Sequence, residues 1–262
     1  MPATYAHYKF GKKVYRALPS ELRKIIKENG AAYMLGLHGP DLLFYYRPYF
    51  KNRINQRGVE MHKETAYSFF EKARRQYRKR PNYVLLSYLC GFMCHYMLDS
   101  ECHPYIGRYM EERGLGHLEI ETDFDRELMI EDGKDPVRND CTWHLVRDLD
   151  TEEAIASVLD GVTADQVDRC ILGFRKTIRL FQCPSRVKAR FLKGLFTLIG
   201  QKKNLGGLVM DGQVNLECVE SGMTLERRLN QAVEPAAEEI QKYVRVIGTH
   251  AELSERLNRD FE

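Results

Sequence analysis

The segment CGFMCHYMLDSECHPYI, residues 90–106, decides how this chain folds. Its apolar run predicts a buried helix over about 83–101. His95, Asp99 and His103 recur at four-residue steps, and such steps place side chains on one face of a helix. Burying a lone carboxylate costs several kcal/mol unless it is paired or bound to a metal. The polar face therefore predicts positive charge beside this helix.

Helix signals on both sides of this segment predict an all-α fold. No strand pair or internal repeat is evident, and polar connections are expected at 131–142 and in the glycine-rich stretch 201–212. Three helices are predicted from their start signals, which are a cap at Ser20, a capping box at Thr163 and Gln166, and the pair Pro184–Ser185. Five more are predicted by range: 59–77, 83–101, 117–130, 225–233 and 236–246. We expect one multi-helical domain over 1–262, with the polar motifs in 1–130 and additional helices without a recognised motif in 150–262.

Composition narrows the class of protein. The chain has 262 residues, is 44% hydrophobic and carries a formal net charge of +3, which argues against a general nucleic-acid binder. The N-terminal residues lack the apolar run of a signal peptide, and no stretch is long enough to span a bilayer, so a cytoplasmic location is expected. Seven cysteines without a CxxC pair predict reduced thiols in the core, Cys90 and Cys94 among them.

Two pairs of histidine and acid suggest a metal site. His95 with Asp99, and His117 with Glu121, each place an imidazole and a carboxylate one helical turn apart, and Zn²⁺ takes nitrogen and oxygen ligands of these types. One such pair is weak evidence, because surface helices also carry it. Two pairs with His103 between them are stronger.

Three upstream residues are ambiguous when read singly. Asp41 follows a Gly-Pro turn, where helix capping is as good an explanation as metal binding. His62 shares a helix face with apolar residues, so a core histidine is a real alternative, and His7 stands near the start between two tyrosines.

The motifs PATYAHYKFG, GPDLLFYY, EMHKE, GFMCHYMLDSECHPYI and GHLEIETDFD occur in this order and together resemble the zinc-dependent phospholipase C family. The resemblance covers about residues 1–130. That family shares an all-helical fold and a trinuclear zinc site with the single-strand-specific nucleases. The resemblance therefore implies the same fold and two to three Zn²⁺ ions in this chain.

Position by position, the resemblance implies three sets of ligands. They are Asp41, His62, His95 and Asp99 for the first ion; Asp99 and His7 with the N-terminus for the second; and His103, His117 and Glu121 for the third. The N-terminal Trp of characterised members has no counterpart at position 1, so we expect removal of Met1 and chelation by the amine and carbonyl of Pro2.

The implied activity is hydrolysis of a phospholipid phosphodiester by metal-activated water, with Asp41 orienting or deprotonating the nucleophile. The basic stretch 71–80 is interpreted as a solvated helix face, with transient contact to an anionic membrane surface or to a nucleic-acid backbone as the alternatives. No stable nucleic-acid complex is expected. Two alternatives stay open: a nucleotide or single-strand nucleic-acid phosphodiesterase with the same metals, and a non-catalytic metal-binding interaction protein.

Several residues near these motifs have no assigned place. His38 and His144 fall outside the implied ligand sets, and Asp123 and Asp125 are either hydrogen-bond partners of the ligands or solvated acids. The aromatic run within 44–50 either lines a substrate pocket or packs against the helices.

Overall fold

The computed structural model describes residues 4–201 and 205–261 of the chain. The structure is 71% helical, which confirms the predicted all-α class. Within the described residues no strand forms, apart from a single bridge between Gln182 and Met210. The α-helices are α1 (Thr4–Ala17), α2 (Ser20–Glu28), α3 (Gly30–Gly36), α4 (Arg53–Lys63), α5 (Ala66–Lys79), α6 (Tyr83–Arg113), α7 (His117–Glu131), α8 (Leu149–Ala156), α9 (Ala164–Phe181), α10 (Arg186–Leu198), α11 (Val219–Gln231) and α12 (Val233–Val246). Short 3₁₀ turns cover Gly39–Tyr45, Gly206–Leu208 and Glu255–Asn258.

Helix α6 is the centre of the fold and is longer than predicted. It is 31 residues long and is buried on all sides through most of its length, as expected for a helix that is apolar all round. The predicted end near residue 101 is wrong, because the helix continues through Pro104 to a left-handed Gly114. Pro104 has no N–H for the carbonyl of Ser100, and the Arg259 side chain donates to that carbonyl instead, at 3.3 Å.

Two glycines bring α3 against α6. A Cβ at Gly36 would lie 2.2 Å from the carbonyl oxygen of Tyr88, and a Cβ at Gly91 would lie 2.2 Å from that of Tyr33. The backbones therefore approach more closely than any other residue would allow. This contact places the 3₁₀ turn Gly39–Tyr45, which follows α3, beside the polar face of α6.

The predicted helix over 59–77 is wrong, because two helices occupy this stretch. Helix α4 ends at Lys63 and α5 begins at Ala66. The C-terminal tail runs between their ends: the N–H of Ala66 donates to the carbonyl of Arg259 at 3.0 Å, and the N–H of Phe261 donates to the carbonyl of His62 at 3.2 Å. The tail thus satisfies backbone groups that a continuous helix would have paired internally.

Other helix signals have mixed outcomes. The capping box of Thr163 and Gln166 forms as predicted, and Ser185 caps α10. Ser20 is not a cap: Pro19 takes the cap position, and Ser20 is the first helical residue. The C-terminal helices α11 and α12 are longer than predicted. All seven cysteines are free and buried, as expected.

Helix α10 belongs to a small lobe with its own apolar cluster. The cluster consists of Phe181, Cys183, Ala189, Phe196 and Val209. The apolar side chains of α10 are only partly buried: Phe196 is in the cluster, whereas Val187 and Phe191 are exposed to solvent. Across the described ranges 4–201 and 205–261, none of the helices has the length and apolar character needed to cross a bilayer.

Candidate metal centre

Helix α6 carries three of the predicted ligands on one face, as the four-residue spacing requires. His95 and Asp99 are fully buried, and Nε2 of His95 lies 3.0 Å from Oδ2 of Asp99. One turn later, Nε2 of His103 lies 3.8 Å from Oδ1 of the same carboxylate. Asp99 is therefore flanked by imidazoles from both directions along the helix.

The three upstream residues converge on the same carboxylate from other elements. Helix α1 brings Nε2 of His7 to 3.2 Å from Oδ1 of Asp99. Helix α4 brings Nε2 of His62 to 3.9 Å from Oδ2 of Asp99 and to 3.1 Å from Oδ1 of Asp41. A purely structural role, helix capping for Asp41 and core packing for His62, does not explain why both side chains meet at this point.

The pair on α7 extends the cluster. Nε2 of His117 lies 3.1 Å from Oε1 of Glu121, and Nε2 of His103 lies 3.7 Å from the same oxygen. Because His103 lies between Asp99 and Glu121, it connects the α7 pair with the rest of the cluster.

All eight predicted side chains thus come together. Three groups have ligand atoms within 4.8 Å of one another: His7, His95 and Asp99; Asp41, His62 and His95; and His103, His117 and Glu121. The grouping differs from the predicted sets in the residue that two groups share: it is His95, whereas Asp99 was predicted to belong to two sets and lies in one group. The predicted role of Pro2 falls outside the described residues and stays a prediction.

Two backbone carbonyls orient imidazoles toward the cluster. Nδ1 of His62 donates to the carbonyl of Gly58 at 2.8 Å, and Nδ1 of His103 donates to the carbonyl of Phe261 at 2.9 Å. Because Nδ1 is held by a carbonyl, Nε2 is the nitrogen that faces the cluster, and it can bind a metal ion once it has lost its proton. Metal-binding histidines in proteins are held in the same way.

The donor set fits zinc. Both ring nitrogens of His95 are buried without hydrogen-bond partners, although one of them is 3.0 Å from Asp99. Nδ1 of His7 is likewise unpartnered. A buried polar atom without a partner costs about 1–3 kcal/mol, and a cation bound to Nε2 of His95 would remove that cost for this atom.

The carboxylates are ionised. Burial works to raise their pKa values, but His95 holds the pKa of Asp99, and His117 that of Glu121, well below the usual range. Burial also works to raise the pKa of Asp41, but nearby positive charge, together with the hydrogen bond with His62, lowers it to about 2.

The imidazoles differ in charge. Burial lowers the pKa of His95, so this ring is neutral at pH 7. Burial also works to lower the pKa of His103, but Asp99 and Glu121 raise it to about 9. Without metal, His103 therefore carries a proton that partly balances the acids.

The acids that follow Glu121 act on the backbone. Asp125 is buried and accepts the N–H groups of Tyr5 and Ala6 at 3.0 and 2.8 Å, so it fixes the start of α1 two residues before His7. Burial raises the pKa of Asp125 to about 8. Asp123 lies outside the three groups, pairs with Arg126 and accepts the N–H of Asn215.

His38 and His144 pair with each other behind the cluster. Their Nε2 atoms are 2.8 Å apart, both rings are buried, and His38 lies 6.4 Å from His7 between ring centroids. Burial lowers the pKa of both rings, that of His144 to about 3. This pair supports the wall of the site, and no spacing in the sequence indicates it.

A cleft of about 540 Å³ opens onto one side of the cluster. Asp41, His62, His103 and His117 reach it, and its remaining wall is mostly apolar: Phe44, Val59, Gly107, Met110 and Leu118. The aromatic residues within 44–50 divide between the two predicted roles, lining the pocket and packing against helices. Phe44 lines the cleft, whereas Tyr45 is buried and stacks on Phe174 with centroids 3.9 Å apart.

The sequence did not predict that the C-terminal tail contacts the candidate metal centre. Besides its carbonyl contact with His103, Phe261 packs its ring against those of His62 and His95, with centroids 5.5 and 6.0 Å apart. A lone aromatic near the end of the chain gives no local signal of this role.

The sequence model of the zinc-dependent phospholipase C family matches residues 6–170. The match contains all eight clustered side chains and extends past residue 130, where the recognised motifs end. No curated protein and no solved structure matched the chain in the same comparisons. With well over half of its length matched and an all-α structure, the chain belongs to the zinc-dependent phospholipase C family of hydrolases.

Proposed function

We propose that this protein is a phospholipase C that uses two to three zinc ions to hydrolyse the phosphodiester bond of a phospholipid. One observation carries the proposal: the three groups of predicted ligands adjoin one another, and two of them, through Asp41, His62, His103 and His117, open onto a single cleft with an apolar wall. A structural metal site would be closed on all sides, whereas a catalytic one needs room for substrate.

The residues that would hold zinc are the three groups described above. When bound, zinc supplies Lewis acidity, which lowers the pKa of water toward neutrality and offsets charge on phosphoryl oxygens. Three carboxylates, Asp41, Asp99 and Glu121, leave the positive charge of two or three such ions only partly neutralised. The excess favours a substrate that carries negative charge.

Asp41 is the residue best placed to orient the attacking water. It lies in the cleft, and at a pKa of about 2 it is ionised at neutral pH, so both oxygens can accept hydrogen bonds. That low pKa also makes it a weak proton acceptor. We therefore assign Asp41 to binding metal and orienting water.

The apolar wall supports a lipid substrate. Phe44, Val59, Met110 and Leu118 face the cleft beside the ligand groups, and an acyl glycerol moiety would bury this surface. The second candidate, a nucleotide or single-strand nucleic-acid phosphodiesterase, rests on Phe44, because an aromatic ring can stack on a base.

The test is activity of the zinc-loaded protein, measured side by side on phosphatidylcholine, phosphatidylinositol, bis-p-nitrophenyl phosphate and single-stranded DNA. Release of diacylglycerol from a phospholipid, abolished by a chelator and restored by zinc, is the expected result. Cleavage of DNA with phospholipids untouched would replace the proposal with the second candidate. Failure on all four substrates would overturn both.

A further inference from the structure

Helix α10 is apolar on two opposite faces, and only one of them is buried. Ala189 and Phe196 face the cluster of the small lobe. On the opposite side, Val187, Phe191 and Leu198 are 76%, 68% and 85% exposed. A surface helix of a globular protein usually exposes polar residues there, so this outer face lacks a partner in the described part of the chain.

The exposed side chains form one stripe. Val187, Phe191, Leu195 and Leu198 follow steps of four, four and three residues, which keeps them within roughly 80° of arc on an α-helix. The inner face lies about half a turn away, so the stripe points away from the lobe. Nothing in the packing of the lobe requires these residues to be apolar.

Basic residues flank the stripe. Arg186 and Arg190 are exposed on one side of it, and Lys188 lies on the other. Helix α10 contains no acidic residue. Lys193 is turned toward the lobe, where it pairs with Asp211 at 2.7 Å.

The charge pattern extends beyond the helix. Residues 169–210 contain ten of the chain's 40 Lys and Arg residues and none of its 37 Asp and Glu residues. The rest of the chain is therefore net acidic, although the whole carries +3. Three of these ten cations pair with acids outside the segment: Arg169 with Asp165, Arg179 with Asp140 and Lys193 with Asp211. The segment that carries the apolar stripe still keeps a net positive charge, which is complementary to the negative head groups and apolar interior of an anionic bilayer.

The basic helix α5 has no exposed large apolar side chain, so it lacks the stripe. Some of its positive charge is also paired: Arg74 and Arg75 share Glu71, and Lys72 pairs with Asp160. The sequence expectation of membrane contact at 71–80 thus fits α10 better.

The lobe borders the candidate metal centre. Gly207, in the 3₁₀ turn beneath α10, approaches the start of α7 so closely that a Cβ there would lie 2.5 Å from the backbone nitrogen of Glu119. Leu118, the preceding residue, lines the cleft, and His117 is a predicted ligand. The lobe that carries α10 is therefore in contact with the helix that supplies His117 and Glu121.

We propose that α10 docks the protein on anionic membrane surfaces by inserting its outer apolar stripe among the lipids while its Arg and Lys side chains bind the head groups. Membrane binding by α10 builds on the proposed phospholipid hydrolysis, because it would bring the enzyme to the surface that contains its substrate. The binding itself needs no turnover, so the two proposals can fail separately.

The test is co-sedimentation of the full chain with vesicles of phosphatidylcholine, with and without added phosphatidylglycerol. We expect binding to the anionic vesicles that weakens with salt. Phe191→Ser with Leu198→Ser, and separately Arg186→Glu with Arg190→Glu, should each weaken it at least about tenfold. All four side chains are exposed, so the fold should persist, which circular dichroism checks.

Matched control variants test whether the effect is specific to α10 or follows from the loss of any exposed apolar or basic side chain. Leu216→Ser with Met223→Ser removes two exposed apolar side chains elsewhere, and Arg75→Glu reverses a charge on α5. Neither should change vesicle binding. Asp99→Asn should bind vesicles normally even if it hydrolyses nothing, and the α10 variants should still cleave bis-p-nitrophenyl phosphate.

Three results would overturn the proposal. The first is that wild-type protein binds neither kind of vesicle. The second is that the control variants weaken binding as much as the α10 variants do. The third is another occupant of the stripe: a dimer in light scattering that the Phe191→Ser, Leu198→Ser variant dissociates, or binding of a single-stranded oligonucleotide in place of vesicles.

Discussion

Asp99 lies within 4 Å of imidazole nitrogens from His7, His62, His95 and His103, and its closest contact is Nε2 of His95 at 3.0 Å. Three helices supply these rings, so a single carboxylate is the point on which α1, α4 and α6 converge. Its oxygens face different partners: Oδ1 is nearer His7, and Oδ2 is nearer His95.

Replacing Asp99 by Asn should remove at least one equivalent of bound zinc and lower phosphodiester hydrolysis by more than about 100-fold, because the amide keeps the size but loses the charge. Metal analysis and a zinc-loaded assay measure the two effects. Asp160→Asn, at an exposed acid outside the cluster, is the matched control and should change neither. Full zinc content in the Asp99 variant would contradict its place at the centre of the site.

Gly39→Ala should disturb the site through His95. Gly39 has a φ of +46°, and a Cβ there would lie 2.2 Å from Cδ2 of the His95 ring. The left-handed backbone alone costs a non-glycine residue about 1–2 kcal/mol, and the ring must also move. We expect a lower melting temperature together with reduced zinc affinity. Gly30→Ala, with open space around the new Cβ, should do neither.

Zinc affinity should rise with pH. Without metal, Asp99 and Glu121 raise the pKa of His103 to about 9, so the ring is protonated at pH 7 and must lose its proton to bind zinc. This single proton should increase the affinity by up to about tenfold per pH unit between pH 7 and 9. Competition with a chelator of known pH dependence measures it. An affinity that is flat over this range would mean that His103 is neutral or is not a ligand.

Phe261→Ala tests the contribution of the C-terminal tail. The ring is buried against His62 and His95, and its loss should cost about 3–5 kcal/mol of stability. Because the ring also supports two predicted ligands, zinc affinity should fall as well. Ile155→Ala, which opens a cavity in α8 away from the cluster, should lower stability by a comparable amount and leave zinc affinity unchanged. Equal affinities for the two variants would restrict Phe261 to packing.

The predicted ligands could be found from sequence because their signals are local. His95 with Asp99, and His117 with Glu121, are separated by one helical turn, so the spacing alone places each pair on one face. The motifs around His7, Asp41 and His62 were found through resemblance, since their contacts with α6 join elements far apart in sequence. The structure brings them together, and their metal-binding roles stay predictions until zinc is measured.

The misplaced helix boundaries have one cause. The break after Lys63 and the passage of α6 through Pro104 both depend on Arg259, whose carbonyl accepts from Ala66 and whose side chain donates to Ser100. Propensity and periodicity describe neighbours in sequence, and these contacts cross more than 150 residues. The pairing of His38 with His144 could not be predicted for the same reason, since the two residues are 106 positions apart in sequence.

The bond between His103 and the carbonyl of Phe261 also sets an order of events in synthesis. Every predicted side-chain ligand has left the ribosome once residue 121 has emerged, yet the carbonyl that orients His103 arrives 158 residues after that histidine. Contacts this distant in sequence form slowly. The predicted metal site therefore stays incomplete until Phe261 docks against His103. A fragment ending at residue 170 would contain the whole family match but would lack the carbonyl that orients His103.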